Sequence, residues 1–347
     1  MRRSSRAVPY FAGAVLTVAF FGGCRKAPPA APVVVLREDI FAEAPFAQCH
    51  ASTIAETDSG LVAAWFGGTA EGDPDVGIWL SRREGEAWSA PVEVARGVNA
   101  AGTREPCWNP VLFQTLGGPL LLFYKVGPSP SRWRGMMTRS MDEGRTWAGP
   151  SPLPDGIVGP AKNHPVELAD GTILCGSSTE EEGWRVHFET TRDRGATWAR
   201  TPPINDGKAV GLIQPALMRT IEGTFIALMR SDKGRIYESR SVDGGATWSP
   251  PGPTVFPNPN SGLDATTLRD GRHILVYNPV TEGRGILAVA LSADGKTWER
   301  VLTLEEEKGA EFSYPAVFQA RDGRVHVTYT WKRERIRHAV LDPGPRR

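Results

Sequence analysis

Six polar residues open six short segments of similar pattern, and mostly apolar residues follow each of them. They are His50, Asn109, His164, Gln214, Asp264 and Tyr314. Packing of an apolar core would not select a polar residue at every such position. We therefore expect the six side chains to form a ring at the mouth of a pocket, either binding a ligand or bridged by water. Imidazole, phenol and carboxyl groups gathered there could transfer protons near neutral pH.

Cationic residues accompany this ring. The next apolar segments end in Lys125, Arg230, Asn278 and Trp331, and nearby loops carry Arg104, Lys162, Arg284 and Arg333. A guanidinium group pairs with a carboxylate through two parallel hydrogen bonds, so several arginines around one pocket favour an anionic ligand. The residue types together indicate a site that binds an acidic group and exchanges protons beside it.

The elements that must position these residues are revealed by an internal repeat. Copies of one eight-residue phrase, Ser/Thr-x-Asp-x-Gly-x-Thr-Trp, begin at residues 140, 191 and 241, a shortened copy begins at 292, and a degenerate copy begins at 81. The Ser/Thr and Asp side chains can bond nearby backbone N–H groups, and glycine supplies the positive φ of a tight turn. The tryptophan can bury a large ring between neighbouring sheets.

A second repeat runs in step with the first, because each polar segment is followed by a turn and an apolar strand. Six such hairpins predict an all-β, six-bladed propeller with four antiparallel strands per blade, over residues 34–343. The sixth blade lacks a fourth strand of its own. We expect residues 33–40 to supply that strand, which would close the ring and hide the sheet edges.

The eight-residue phrase resembles the Asp-box, or BNR repeat, of the sialidase (neuraminidase) superfamily. The resemblance covers roughly residues 35–342 and implies a propeller with its active site at the central mouth. It also implies an exo-glycosidase that hydrolyses a terminal acidic sugar, sialic acid or a related one, from glycans. In that superfamily three arginines hold the sugar carboxylate, a tyrosine assisted by a glutamate is the nucleophile, and an aspartate is the acid/base. The Asp-box aspartates are structural.

Carried over by motif, the resemblance assigns the second and third arginines to Arg230 and Arg284 and the nucleophile to Tyr314. The acid/base falls on Asp73, with Asp75 as the near alternative. A tyrosine suits an acidic sugar because a carboxylate nucleophile would be repelled by the substrate's own acid group.

Two positions depart from the superfamily pattern. His50 stands where the first arginine is expected, and Gln214 stands where the glutamate is expected. Glu311 or Asp264 could replace the missing base, and Arg104 could replace the missing arginine. Two other functions therefore stay open. One is a lyase or hydrolase of uronic-acid polysaccharides that uses His50 or His164 as its base, and the other is a non-catalytic glycan-binding lipoprotein.

The N-terminus is predicted to be an export signal. Arginines at positions 2, 3 and 6 precede an apolar run over residues 8–21, which is short for a membrane span. Gly22-Gly23-Cys24 then resembles the lipobox of bacterial lipoproteins, which implies a signal peptide over residues 1–24, a lipid on Cys24 and a location in the cell envelope. An ordinary cleaved signal peptide is the alternative. The Ala/Pro-rich residues 25–33 would form a stiff linker.

The remaining composition narrows the partners. A net charge of +1 without a basic block argues against nucleic acid, and no pattern indicates a cofactor or metal. We expect a monomer that binds a glycan. Three cysteines follow Cys24, so one thiol stays unpaired within the chain, while a disulfide between Cys49 and Cys107 is possible.

Overall fold

The computed structural model describes residues 32–99 and 101–345, and these residues form strands joined by turns. The first strand is β1 (Val33–Asp39). Blade 1 contains β2 (Gln48–Glu56), β3 (Leu61–Gly68), β4 (Gly77–Glu84), β5 (Ala87–Trp88) and β6 (Val92–Arg96). Blade 2 contains β7 (Cys107–Gln114), β8 (Leu120–Val126), β9 (Arg134–Ser140) and β10 (Ser151–Pro152). Blade 3 contains β11 (Val166–Glu167), β12 (Ile173–Thr179), β13 (Arg185–Thr191) and β14 (Ala199–Arg200).

The second half of the chain continues the pattern. Blade 4 contains β15 (Leu212–Arg219), β16 (Phe225–Ser231), β17 (Arg235–Ser241) and β18 (Gly252–Pro257). Blade 5 contains β19 (Asp264–Thr267), β20 (His273–Tyr277), β21 (Ile286–Ser292) and β22 (Trp298–Glu306). Blade 6 contains β23 (Phe312–Gln319), β24 (Val325–Trp331) and β25 (Arg335–Asp342). The six antiparallel sheets confirm the predicted six-bladed propeller.

The N-terminal strand closes the ring, as the sequence predicts. β1 pairs antiparallel with β25 and completes the four-stranded sheet of blade 6. The inner strand β2 contacts β7 on one side and β23 on the other, so the first and last blades meet. Glu38 on β1 accepts hydrogen bonds from the Trp88 indole N–H and lies 2.9 Å from His338 Nδ1 on β25. These contacts join the two ends of the chain to blade 1.

The repeated phrases form tight turns between the third and fourth strands of their blades. In the copy at residues 241–248, Asp243 accepts hydrogen bonds from the backbone N–H and the hydroxyl of Thr247, at 2.9 and 2.5 Å. The Ser241 hydroxyl donates to the same carboxylate and accepts from the Gly245 N–H. The hydrogen bonds from Thr247 and Ser241 lower the pKa of Asp243 from its ordinary value to about 2. The aspartate therefore serves the turn, away from the mouth.

The tryptophan of each complete phrase packs on the preceding blade. The Trp248 ring of blade 4 stacks on Phe188 of blade 3, with ring centroids 3.6 Å apart and an angle of 8° between the planes. Trp198 similarly meets Phe123 of blade 2 edge to face. Aromatic pairs of this kind contribute about 0.5–1.5 kcal/mol beyond their buried area. The repeat thus holds neighbouring blades together as well as shaping each turn.

The predicted signal peptide and nearly all of the predicted linker lie outside the described residues. Within the described ranges, the structure has no helix long and apolar enough to cross a membrane. Cys49, Cys107 and Cys175 are buried and free there, so the possible Cys49–Cys107 disulfide is not formed. Burial raises the pKa of the Cys107 thiol to about 12, which makes it unreactive near neutral pH.

Bulges in the inner strands determine which residues reach the mouth. In blades 1, 2, 4 and 6, two consecutive residues of the inner strand are not paired with the next strand. The first of these two residues has a positive φ. These residues are Ala51, Asn109, Gln214 and Tyr314, with φ of 56°, 38°, 57° and 52°. A bulge bends its strand and redirects a side chain, and such features are frequent beside active sites. We call these positions the mouth positions.

The equivalent position in all six blades lies six residues before a backbone hydrogen bond that recurs in each blade, and we extend the name mouth position to it. In each blade one backbone N–H group donates to the carbonyl on the far side of the hairpin turn. The donors are Thr57, Thr115, Leu168, Thr220, Leu268 and Ala320. Counting back six residues from these gives Ala51, Asn109, Lys162, Gln214, Gly262 and Tyr314. Of the six predicted ring residues, Asn109, Gln214 and Tyr314 occupy these positions, whereas His50 lies one residue before the position in blade 1, and His164 and Asp264 lie two residues after it in blades 3 and 5.

Candidate functional site

A cavity of about 190 Å³ opens at the mouth of the propeller. It is lined by His50, Glu71, Trp108, Asn109, Pro130, Trp133, Glu180, Ile213, Gln214, Arg230, Arg284, Tyr314 and Arg333. These residues come from all six blades and are separated by up to 283 positions in sequence (333 − 50). Only closure of the ring brings them together.

Tyr314 lies on the floor of this cavity, in the bulge of β23. Its hydroxyl accepts a hydrogen bond of 2.5 Å from Arg230 Nη1. Its ring centroid lies 4.1 Å from that of His50, and the Arg284 guanidinium carbon lies 5.6 Å from the ring. Gly262 allows this placement, because a Cβ at that position would stand 3.1 Å from the Tyr314 ring. The phenol is thus fixed between cations and one imidazole.

Three arginines line the cavity, and one acidic residue links two of them. Arg284 Nη1 and Arg333 Nε donate to the two oxygens of Glu311, each at 2.9 Å. Arg230 is held separately, by a bond of 2.5 Å from its Nε to Asn260 Oδ1. Asn260 also accepts from Arg284 through its backbone carbonyl, at 3.2 Å. The guanidinium groups are therefore oriented before any ligand arrives, which reduces the entropy lost on binding.

Glu311 is suited to holding these arginines. Burial raises its pKa, but hydrogen bonds from Arg333 and Ser313 and the charges of Arg333 and Arg284 outweigh burial and leave the pKa below its ordinary value. A carboxylate held ionised in this way is a weak base. The geometry supports a positioning role for Glu311 in place of the proton transfer expected from the sequence.

Arg333, and not Arg104, lines the cavity together with Arg230 and Arg284. The Arg104 guanidinium donates to the Asp75 carbonyl at 2.8 Å and pairs with Glu93, and it does not line the cavity. Arg333 follows the last residues of β24 with a φ of 59°, and it pairs with both Glu311 and Glu71. The sequence showed it only as a nearby cation, because nothing in the motif indicated that the chain turns back toward the mouth there.

His50 is buried beside Tyr314, one residue before the mouth position of blade 1. Its Nδ1 lies 2.9 Å from the Thr330 hydroxyl. Burial and then the charges of Arg333, Arg284, Arg230 and Lys162 hold its pKa well below the ordinary value. The imidazole is therefore neutral at physiological pH and retains a lone pair.

The candidate acids lie on the loop between β3 and β4. Asp75 accepts hydrogen bonds from the backbone N–H and hydroxyl of Thr69, so it organises the loop. Asp73 is half-buried in the same turn and donates its backbone N–H to Ala70, but it is not among the residues that line the cavity. Glu71 does line it and pairs with Arg333. The acid/base role of Asp73 stays a prediction.

Two tryptophans form an aromatic wall in the same cavity as the arginines. The rings of Trp108 and Trp133 lie 6.0 Å apart, edge to face, and the Trp108 indole N–H donates to the Gly127 carbonyl at 2.8 Å. Both rings line the cavity together with Asn109. An aromatic surface and guanidinium groups in one cavity can contact the C–H face of a sugar and pair with its acid group.

Two predicted ring residues lie elsewhere on the propeller axis. His164 and Asp264 are each two residues beyond the mouth position of their blades. His164 Nε2 lies 2.7 Å from the Ile54 carbonyl, and its Nδ1 lies 3.6 Å from Asp264 Oδ2. Asp264 also accepts from the Val317 N–H at 2.8 Å. His164 lines a separate cavity on the face that carries the repeated turns, so it is not positioned to act at the mouth.

Three strand-end residues predicted near the mouth have other tasks. Lys125 is fully buried and donates to the Pro160 carbonyl at 2.5 Å, and burial lowers its pKa to about 8. Asn278 donates to two backbone carbonyls between β21 and β23. The Trp331 ring packs against Lys332 and Arg337, whereas its neighbour Thr330 contacts His50. Alternate residues of a strand face opposite ways, which explains why Trp331 does not line the cavity.

The protein is a sialidase-like β-propeller, because six blades surround a mouth that contains three arginines and a buried tyrosine. A family model described as a BNR repeat-like domain matches residues 59–327, and the chain belongs to this family. None of the curated proteins matches the chain significantly.

Solved structures share the fold at low sequence identity. A protein of unknown function from Dyadobacter fermentans is 19% identical with a TM-score of 0.72, over 90% of this chain and 98% of that one. A Hadza microbial sialidase is 17% identical with a TM-score of 0.71, over 84% and 65%. The intramolecular trans-sialidase of Ruminococcus gnavus, solved with oseltamivir carboxylate, is 12% identical with a TM-score of 0.69, over 85% and 94%.

Proposed function

We propose that the protein is an exo-glycosidase that hydrolyses a terminal acidic sugar, sialic acid or a related one, from glycans. The observation that carries the proposal is the convergence of Arg230, Arg284 and Arg333 on one cavity beside the Tyr314 hydroxyl. Three guanidinium groups would bind the sugar carboxylate, and the aromatic wall would contact the ring. The family membership and the sialidases among the structural neighbours support the same class of reaction.

The proposed reaction uses Tyr314 as nucleophile. Its oxygen attacks the anomeric carbon while the bond to the leaving oxygen breaks, and Asp73 gives that oxygen a proton. Water then attacks the anomeric carbon of the glycosyl-tyrosine, Asp73 takes a proton from the water, and the tyrosine oxygen leaves. Arg230 donates to the Tyr314 oxygen and stabilises negative charge there as the phenol ionises.

The test is a panel of sialosides and uronic-acid oligosaccharides, with chromatographic and mass-spectrometric identification of the products. The proposal expects release of a free acidic monosaccharide by wild-type protein and no release by Tyr314→Phe. Turnover restricted to neutral glycosides would contradict it. Affinity for acidic glycans without any turnover would favour the non-catalytic binding protein instead.

A second candidate is a lyase that acts on uronic-acid polysaccharides. It is favoured by His50, a neutral imidazole 4.1 Å from the Tyr314 ring centroid at the same cavity. His50 would remove the proton beside the substrate carboxylate, and the Tyr314 phenol would protonate the leaving oxygen as the double bond forms. The same panel separates the two reactions, because a lyase leaves an unsaturated product that absorbs ultraviolet light.

We also propose that Cys24 carries a lipid that anchors the protein in a bacterial cell envelope. The arginines, apolar run and Gly-Gly-Cys sequence at the N-terminus support this location. An anchored enzyme would meet glycans outside the cytoplasm, where terminal acidic sugars are exposed.

A further inference from the structure

The proposed reaction requires an acceptor for the phenol proton of Tyr314, and Gln214 cannot be that acceptor. Gln214 occupies the mouth position of blade 4, and its Oε1 accepts from Arg230 Nη1 at 3.3 Å. A carboxamide oxygen can accept a hydrogen bond, but it does not take a proton near neutral pH. Another group at the cavity must therefore act as the base.

The carboxyl groups around the mouth differ in how they are held. Glu71 pairs with Arg333, and Glu311 pairs with both Arg284 and Arg333. Glu180 also lines the cavity, directly after β12 of blade 3, and in the described part of the chain it has no cation within ion-pair distance. A carboxylate bound to guanidinium stays ionised and weakly basic, whereas an unpaired one can exchange protons. Glu180 is the cavity carboxyl that is available for that exchange.

We propose that Glu180 is the general base that takes the Tyr314 phenol proton, directly or through one water in the cavity. This inference rests on the glycosidase function proposed above. In the first step the tyrosine oxygen bonds to the anomeric carbon, its O–H bond breaks, and the proton moves to Glu180. When water later displaces the tyrosine, the phenolate oxygen recovers that proton from Glu180, so the enzyme returns to its initial state.

The surroundings of Glu180 favour this role. Burial raises its pKa above the ordinary value, although the charge of Arg230 and a hydrogen bond from Trp184 act in the opposite direction. A carboxylate with a raised pKa is a stronger base at neutral pH. The same Arg230 stacks on the Trp184 ring, with its guanidinium carbon 5.5 Å from the centroid, and donates to Tyr314. Glu180, Trp184, Arg230 and Tyr314 thus form one connected group.

The experiment compares Glu180→Gln with Glu181→Gln as its matched control. Glu181 is the exposed neighbour and does not line the mouth cavity. General-base catalysis contributes about 10²- to 10⁴-fold, so Glu180→Gln should lower kcat at least 100-fold on the substrate that wild type cleaves. KM should change little, because the arginines that bind the acid group remain. Glu181→Gln should retain wild-type kcat.

A conservative variant separates a base from a merely structural residue. Glu180→Asp keeps a carboxyl at this position and should retain a kcat at least tenfold above that of Glu180→Gln. Unchanged kcat in Glu180→Gln, or an equal loss in Glu181→Gln, would overturn the inference while leaving the glycosidase function standing. A kcat of Glu180→Asp no higher than that of Glu180→Gln, accompanied by a raised KM, would also overturn it. Absence of turnover by wild type would refute the glycosidase function itself and the base with it.

Discussion

Replacing Arg230 with lysine should remove most activity while the site keeps its net charge. The guanidinium uses Nε for Asn260 and Nη1 for Tyr314 and Gln214, which a single ammonium cannot reproduce in one plane. A hydrogen bond involving a charged group contributes about 1.5–3 kcal/mol. Loss of one such bond in the transition state corresponds to about a 10- to 150-fold decrease in kcat/KM.

The assay is hydrolysis of the acidic glycoside identified by the panel, together with binding of the free acidic sugar measured by tryptophan fluorescence. Arg235→Lys is the matched control, because Arg235 is exposed on the neighbouring strand β17, outside the cavity lining, and its guanidinium donates to the Thr254 carbonyl. Both variants should melt at the wild-type temperature. Wild-type kcat/KM in Arg230→Lys would refute the argument that the planar guanidinium organises the nucleophile.

Further predictions concern the catalytic pair, the repeated turn, ring closure and the anchor. Tyr314→Phe and Asp73→Asn should each lower turnover more than about 100-fold without a change in Tm, and wild-type turnover in both would reject their assigned roles. Asp243→Ala removes the acceptor of three hydrogen bonds in its turn, so Tm should fall by a few degrees while activity per folded molecule persists. Burial lowers the pKa of His338, and the hydrogen bond and charge of Glu38 on β1 compensate only part of that decrease. The neutral imidazole therefore stabilises the fold above the unfolded pKa of about 6.5, and thermal melts should show Tm falling as pH drops from about 7 to 5, whereas a constant Tm would contradict this. Cys24→Ala should move the expressed protein from the membrane fraction to the soluble fraction, and an unchanged distribution would argue against the lipid.

The fold could be predicted because the repeated signals are local. A Ser/Thr, an Asp, a Gly and a Trp within eight residues specify one turn and one contact with the preceding blade, as the Asp243 bonds and the Trp248 stack show. Repetition at a constant interval then determines the number of blades, and the leftover strand position in blade 6 indicates where β1 must pair. No contact between distant residues had to be guessed.

The site could be predicted only in part, because it depends on small backbone offsets. Asn109, Gln214 and Tyr314 were identified where proline follows the bulge residue, but the same residue pair in blade 3, His164-Pro165, lies two residues further along the strand. This offset places His164 in the cavity on the face that carries the repeated turns. Gly262 was invisible for a different reason, since it contributes space and no functional group.

From the sequence, Arg333 was identified only as a nearby cation and Glu180 was not indicated, because the place of each depends on neighbouring blades. Arg333 reaches the mouth through a left-handed turn after β24, and its partners Glu71 and Glu311 lie 262 and 22 positions away in sequence. Glu180 has an ordinary sequence context, and its significance comes from lying unpaired in a cavity full of arginines. No local sequence motif indicates the position of Arg333 or the surroundings of Glu180.

The bulges also bear on how such a site can change over time. Because the residue at each mouth position is excluded from strand pairing, its side chain can be exchanged without unravelling the ladder on either side. Side chains as different as alanine, asparagine, glutamine and tyrosine already occupy the same left-handed backbone in this one chain. The residues of the site can therefore change while the strands that carry them stay paired. β-Branched residues are the main exception, because they tolerate positive φ poorly.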